Sequence, residues 1–154
     1  MDKVLIVRSA PVSYVRDILP AVMDRFGTPR IEVLTNSVAR PELLKFLEEG
    51  QVIIYPKEKL SLFKTRPSLL MRLSGKYRAV IVPYTNLWGE GYRNVELMGL
   101  ALGAQELWSV DKKGGWHRIT LTSFLKRQVN EVWNWTHYSI HWVITLTRMA
   151  LKVR

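Results

Sequence analysis

The stretch KVLIVRSAPVSYVRDILPAV, residues 3–22, decides how the rest of the chain is read. Lys3–Ser9 opens on a nearly continuous apolar run, as expected of a strand buried on both faces. Val12–Phe26 then places Val15, Leu19, Val22 and Phe26 at helical spacing, and Gly27 ends the pattern. Pro20 lies inside this segment and is expected to kink the helix or to mark its true start. A strand feeding straight into a helix is the first unit of an α/β fold. Its junction is where such folds usually hold a nucleotide, a phosphate or a catalytic acid. Here the junction carries no glycine, and no acid precedes Asp17.

The same alternation continues outward. Arg30–Asn36 reads as a second strand. Pro41–Glu49 reads as a helix, with proline near its first turn and Gly50 after its end. Gln51–Lys57 is a third strand, Leu62–Leu73 a helix interrupted by Pro67, and Arg78–Tyr84 a fourth strand. Arg93–Leu102 is a helix closed by Gly103, and Glu106–Val110 is a fifth strand followed by a turn over Lys112–Gly115. Short connections between alternating elements imply right-handed crossovers and a parallel sheet covered on both faces. The expected fold is a Rossmann-like three-layer α/β sandwich with five parallel strands in the order 3-2-1-4-5. Residues 1–115 form this domain, and residues 116–154 a C-terminal amphipathic helical extension.

Composition sets the outer bounds. A chain of 154 residues fits one domain with a real core, and 47% hydrophobic residues with six Trp argue against disorder. There is no cysteine, which excludes disulfides and thiolate metal sites. The opening MDKVLIVRS is shaped like a strand and not like a signal peptide, so a cytoplasmic location is expected. The net charge of +10 implies an anionic partner. Basic residues cluster at Lys57, Lys59, Lys64, Arg66, Arg72, Lys76 and Arg78 against Glu58 alone, and again from Lys112 onward. Two solvated faces are the plain alternative. Aromatic residues are not interleaved with the first cluster, so nucleic acid is not the expected partner.

The extension differs from the rest. Leu121–Arg154 contains neither Gly nor Pro, so one long helix, or two with a bend, is expected. Asn130, Asn134, His137, His141, Thr145, Arg148 and Lys152 fall on one polar stripe. Trp133, Trp135 and Trp142 lie off it, and the uncharged run between Glu131 and Arg148 is too short to span a bilayer. The apolar face can pack within the chain, lie on a membrane surface or meet a second copy. Trp133, Trp135, Trp142, Arg148 and Lys152 are the candidates for membrane or partner contact.

Motifs for familiar chemistry are missing. There is no dinucleotide fingerprint and no Walker loop. The ends of strands one and three read Arg8-Ser9 and Tyr55-Pro56, where a phosphoacceptor domain needs acids. Ser9 and Ser13 weakly match a flavodoxin-like phosphate loop. No Gly-x-Ser-x-Gly is present, and all three His lie late. His137 and His141 could share a metal, but no acid or cysteine lies near them in sequence, so no metal and no cofactor is expected. The loop PYTNLWGEGYRN, residues 83–94, groups Asn86, Trp88, Glu90, Tyr92 and Asn94, a mix suited to a sugar or polyol. The plain alternative is an ordinary loop with Asn94 capping the next helix.

From Lys3 to about Val110 the order of pieces resembles the acceptor-side, N-terminal domain of heptosyltransferase-like glycosyltransferases. These are family-nine enzymes built of two Rossmann-like domains. The resemblance rests on KVLIVRSAPVSYVRDILPAV, RIEVLTN, KYRAVIVPYTN and ELMGLALGAQELW, with Leu19-Pro20-Ala21 its most specific feature. It implies a general base after strand one, in a Gly-Asp pair that falls here on Ser13 and Tyr14. Tyrosine, with a reference pKa of about 10, is a poor base at neutral pH. Asp17 lies one turn further on and is the weak substitute. The family's Asp-x-Gln after strand four falls on Val82 and Tyr84. The family's donor-binding second domain has no counterpart in these residues.

The expected function is therefore a glycosyltransferase-like acceptor-side domain, non-catalytic alone. It would act in cell-envelope glycan or glycolipid assembly, with a donor-binding partner subunit or at the inner face of the membrane. Its expected ligand-binding residues are Ser9, Ser13, Tyr14, Asn86, Trp88 and Glu90. A non-enzymatic interaction module on a flavodoxin-like or Rossmann-like scaffold is the alternative.

Overall fold

A computed structural model of the chain describes residues 3–27, 30–55, 67–86 and 91–130. Most of the basic run from Lys57, the loop residues Trp88 and Glu90, and the tail residues Trp133, Trp135, His137, His141, Trp142, Arg148 and Lys152 lie outside them. Residues 1–119 form one compact unit and residues 120–154 a second.

In the first unit, strand β1 (Lys3–Val7) leads into helix α1 (Val12–Phe26) and strand β2 (Arg30–Asn36). A short helix α2 (Arg40–Leu43) precedes β3 (Val52–Tyr55), and α3 (Pro67–Leu73) precedes β4 (Ala79–Pro83). Helix α4 (Arg93–Ala101), β5 (Glu106–Val110) and β6 (Trp116–Arg118) complete it. The sheet order is β3-β2-β1-β4-β5-β6, parallel except for β6, which pairs antiparallel with β5. The Rossmann-like fold and the 3-2-1-4-5 order read from sequence are both present.

Register explains the apolar runs. Val4 and Ile6 stand level with Ile31 and Val33 on β2 and with Ala79 and Ile81 on β4. That face meets Val12, Val15, Ile18, Val22 and Phe26 of α1, all buried. Each such aliphatic side chain contributes about 1.5–3 kcal/mol by burial. The opposite face is covered by α4. There Gly99 permits close approach: a Cβ at this position would lie 2.5 Å from Leu107 Cδ1 and 3.4 Å from Val80 Cγ1. The end of α3 joins the end of α4 through Gly75 N–H donating to Leu102 C=O at 2.9 Å.

Three expectations are corrected. Helix α1 begins at Val12 and continues through Pro20, so Pro20 does not mark its start. Pro20 is exposed, so the hydrogen bond it cannot make falls on the solvent side of the helix. The helix expected over Pro41–Glu49 ends at Leu43. The chain then turns tightly, with Lys45 N–H on Glu42 C=O and Phe46 N–H on Leu43 C=O, and Gln51 Nε2 donates to Ile31 C=O at 3.1 Å. Asn94 lies inside α4 and does not cap it; the N-cap residue is Tyr92.

Strand β6 is the element that the sequence reading missed. It lies in residues assigned from sequence to the extension. Only Trp116 of its three residues is apolar, and Trp116 stacks edge-on against Trp108 and Phe26. Arg25 lies over both indoles, 4.2 Å from the Trp108 centroid and 4.9 Å from that of Trp116. The hairpin thus extends the α1-side core and covers the parallel edge of β5.

Candidate functional site

In this topology the place for a ligand is the carboxyl edge of the sheet between β1 and β4, where strand order reverses. The chain reaches it as Arg8-Ser9-Ala10 after β1, Tyr84-Thr85-Asn86 after β4, and Asp111 after β5. Parallel strands diverge there, and the polar groups at their ends need partners.

The chain itself supplies them. Ser9 Oγ donates to Pro83 C=O at 2.7 Å and so ties β1 to β4 at the switch point. Tyr14, in the first turn of α1, donates its hydroxyl to Asp111 C=O, with Val110 C=O at 3.3 Å. Burial, with Asp111 and Tyr92 nearby adding to it, pushes the Tyr14 phenol up to about 12. Tyr14 therefore stays protonated at neutral pH and acts as a donor.

Asp111 organises the β5–β6 turn. Its Oδ1 accepts Lys113 N–H at 2.8 Å and Gly115 N–H at 3.0 Å, and its Oδ2 meets His117 Nε2 at 3.1 Å. The Gly115 bond is the largest of the influences that hold this carboxyl below its usual range, followed by the bond to His117. After β4, Tyr84 donates to the buried carboxylate of Glu96, and its ring lies 4.7 Å from that of Tyr92. Thr85 N–H donates to Tyr92 Oη at 2.8 Å.

Among the residues expected at this site, Ser9 and Tyr14 meet at the edge but face their own backbone. Ser13 is exposed on α1. Asp17 is also exposed, with Arg16 Nε 3.6 Å from its carboxylate. It stands on the solvent side of α1, not against the strand ends. Asn86 is half-buried just past β4 and has a partner of its own.

Arg8 was missed as a site residue, although it ends the first strand run. Its Nε donates to Thr35 Oγ1 at 2.7 Å, Nη1 to Ala10 C=O at 3.2 Å and Nη2 to Asn36 Oδ1 at 3.2 Å. Burial lowers its pKa, and Glu42 nearby works the other way. The guanidinium remains a fixed positive charge, and each Nη carries a second N–H beyond these bonds. Glu96 was missed too, because it occupies a core-facing position in an otherwise apolar stretch of α4, Val95-Glu96-Leu97-Met98.

Among the described residues, no buried side-chain polar atom lacks a hydrogen-bond partner, and no group of three His, Asp or Glu could hold a metal. Among the described residues, Arg8 is a clamped cation at the carboxyl ends of β1 and β2, while the carboxylates of Asp111 and Glu96 already accept hydrogen bonds. That suits binding an anion more than abstracting a proton. Comparison with family models, with curated proteins and with solved structures finds no match to this chain.

Proposed function

We propose that this chain is a catalytically silent, glycosyltransferase-like acceptor-side domain. It binds a phosphorylated glycan or glycolipid at its carboxyl edge and leaves donor binding to a partner subunit, at the inner face of the cell membrane. One observation carries the reading. The residue standing where the resemblance expects a base, Tyr14, donates to Asp111 C=O and has its phenol raised to about 12. A group that must give up a structural hydrogen bond and also an unfavourable proton is no base for a sugar hydroxyl. Arg8 supports the anion-binding half of the proposal, because three hydrogen bonds fix its guanidinium before any ligand arrives.

The test is a titration of the full chain with a sugar monophosphate beside a transfer and hydrolysis assay over a panel of sugar nucleotides. The expected result is binding without turnover. Arg8→Gln should weaken binding by about tenfold, in keeping with the loss of one charge-assisted contact, and Arg8→Lys by less. Turnover that Tyr14→Phe or Asp17→Asn abolishes would overturn the proposal.

A further inference from the structure

The second unit presents an independent feature. Thr120 starts its helix: Ser123 N–H donates to Thr120 Oγ1 at 3.0 Å, and Thr120 N–H donates to Ser123 Oγ at 2.9 Å. This reciprocal pair fixes where the helix over residues 121–130 begins. From that start, Leu121, Leu125 and Val129 fall at i, i+4 and i+8 and form one stripe. They are 61%, 52% and 66% exposed. Phe124, by contrast, is buried. A helix that buries one apolar residue and exposes three others in register presents an apolar stripe to solvent among the described residues.

From this stripe we infer that the 121–130 helix docks on an anionic bilayer surface, with Leu121, Leu125 and Val129 entering the headgroup–acyl boundary. Charge decides between a bilayer and a second copy. Lys126 is exposed beside the stripe, Arg127 follows it, and residues 121–130 hold no acid. Across residues 120–154 there are five Lys or Arg against Glu131 alone. Two copies brought together on this face would set like charges against each other, whereas anionic headgroups would neutralise them. No helix among the described residues is long and apolar enough to cross a membrane; a helix with one apolar stripe flanked by cations suits a contact along the surface. The inference shares the membrane location with the proposed function but does not depend on the carboxyl edge.

The experiment is co-sedimentation of the full chain with vesicles of phosphatidylcholine, alone or with about one-third phosphatidylglycerol, at low and high salt. The unmodified chain should bind the anionic vesicles and be released by salt. The triple variant Leu121→Gln, Leu125→Gln, Val129→Gln should bind at least about tenfold more weakly, because the apolar area is lost. Lys126→Glu should weaken binding by a smaller factor and flatten the salt dependence. Circular dichroism and sedimentation velocity on every variant check folding and self-association. The inference is overturned by failure of the unmodified chain to bind, by binding that the triple variant retains, or by a dimer that the triple variant abolishes. Sugar-phosphate binding by the triple variant should be unchanged, so failure here is distinguishable from failure at the carboxyl edge.

Discussion

The carboxyl edge of the sheet and the 121–130 helix are opposites. At the edge, where Rossmann-like folds usually expose polar groups to a ligand, Ser9, Tyr14, Tyr84 and Asp111 bond to the protein itself. On the helix, where an apolar stripe usually packs into a core, Leu121, Leu125 and Val129 face outward. Fold position predicts neither arrangement. At the edge, the position that this topology offers a ligand is lined by polar groups already bonded within the chain. The helix teaches that exposed surface has to be read residue by residue.

Substitutions test this contrast, because losing an edge residue should cost stability and losing a stripe residue should not. The largest effect is expected from Tyr84→Phe, which takes a donor from the buried carboxylate of Glu96 and should lower unfolding free energy by about 2 kcal/mol in urea. Ser9→Ala removes the tie between β1 and β4 and should cost about 1 kcal/mol in the same urea measurement. At the other extreme, the triple Gln variant of Leu121, Leu125 and Val129 should change solution stability by no more than about 0.5 kcal/mol per site. A large loss there would mean that the stripe belongs to a core.

Acid titration extends the test to the sheet's opposite end. Asp111 is held below its usual range chiefly by Gly115 N–H. At Glu32, burial opposes the charge, but hydrogen bonds from Lys3 Nζ at 2.9 Å and Tyr77 Oη at 2.7 Å outweigh it, and the pKa falls. Both carboxyls are lower in the folded state than in the unfolded one. Their contribution is therefore complete above the unfolded value, near 4, and is lost as pH falls through the folded value. Melting temperature should fall in that acid window, and Asp111→Asn should flatten the fall while starting from a lower plateau.

The sheet was legible because its strands are buried on both faces and carry unbroken apolar runs, as Val4–Val7 and Ala79–Val82 do. Strand β6 was not, since three residues with one Trp make no period, and what holds it is the distant pair Trp108 and Phe26. Pro41 and Gly50 bracket a longer helix in the sequence, but α2 stops at Leu43 and Gln51 ties the following turn to β2. At the carboxyl edge the residues could be listed but not their partners. Tyr14 stood out as the residue at the expected base position, yet its hydroxyl is answered by Asp111, 97 residues away. Arg8 reads as a strand end until Thr35 and Asn36 arrive beside it.

Urea unfolding of Tyr14→Phe against the unmodified chain asks whether the Tyr14 hydroxyl is a structural donor. A structural donor lost from Asp111 C=O should lower stability by about 1 kcal/mol, with an unchanged denaturant slope. Residues held for catalysis commonly cost stability, so equal or greater stability in Tyr14→Phe would contradict the account and return the carboxyl edge to the status of a working site.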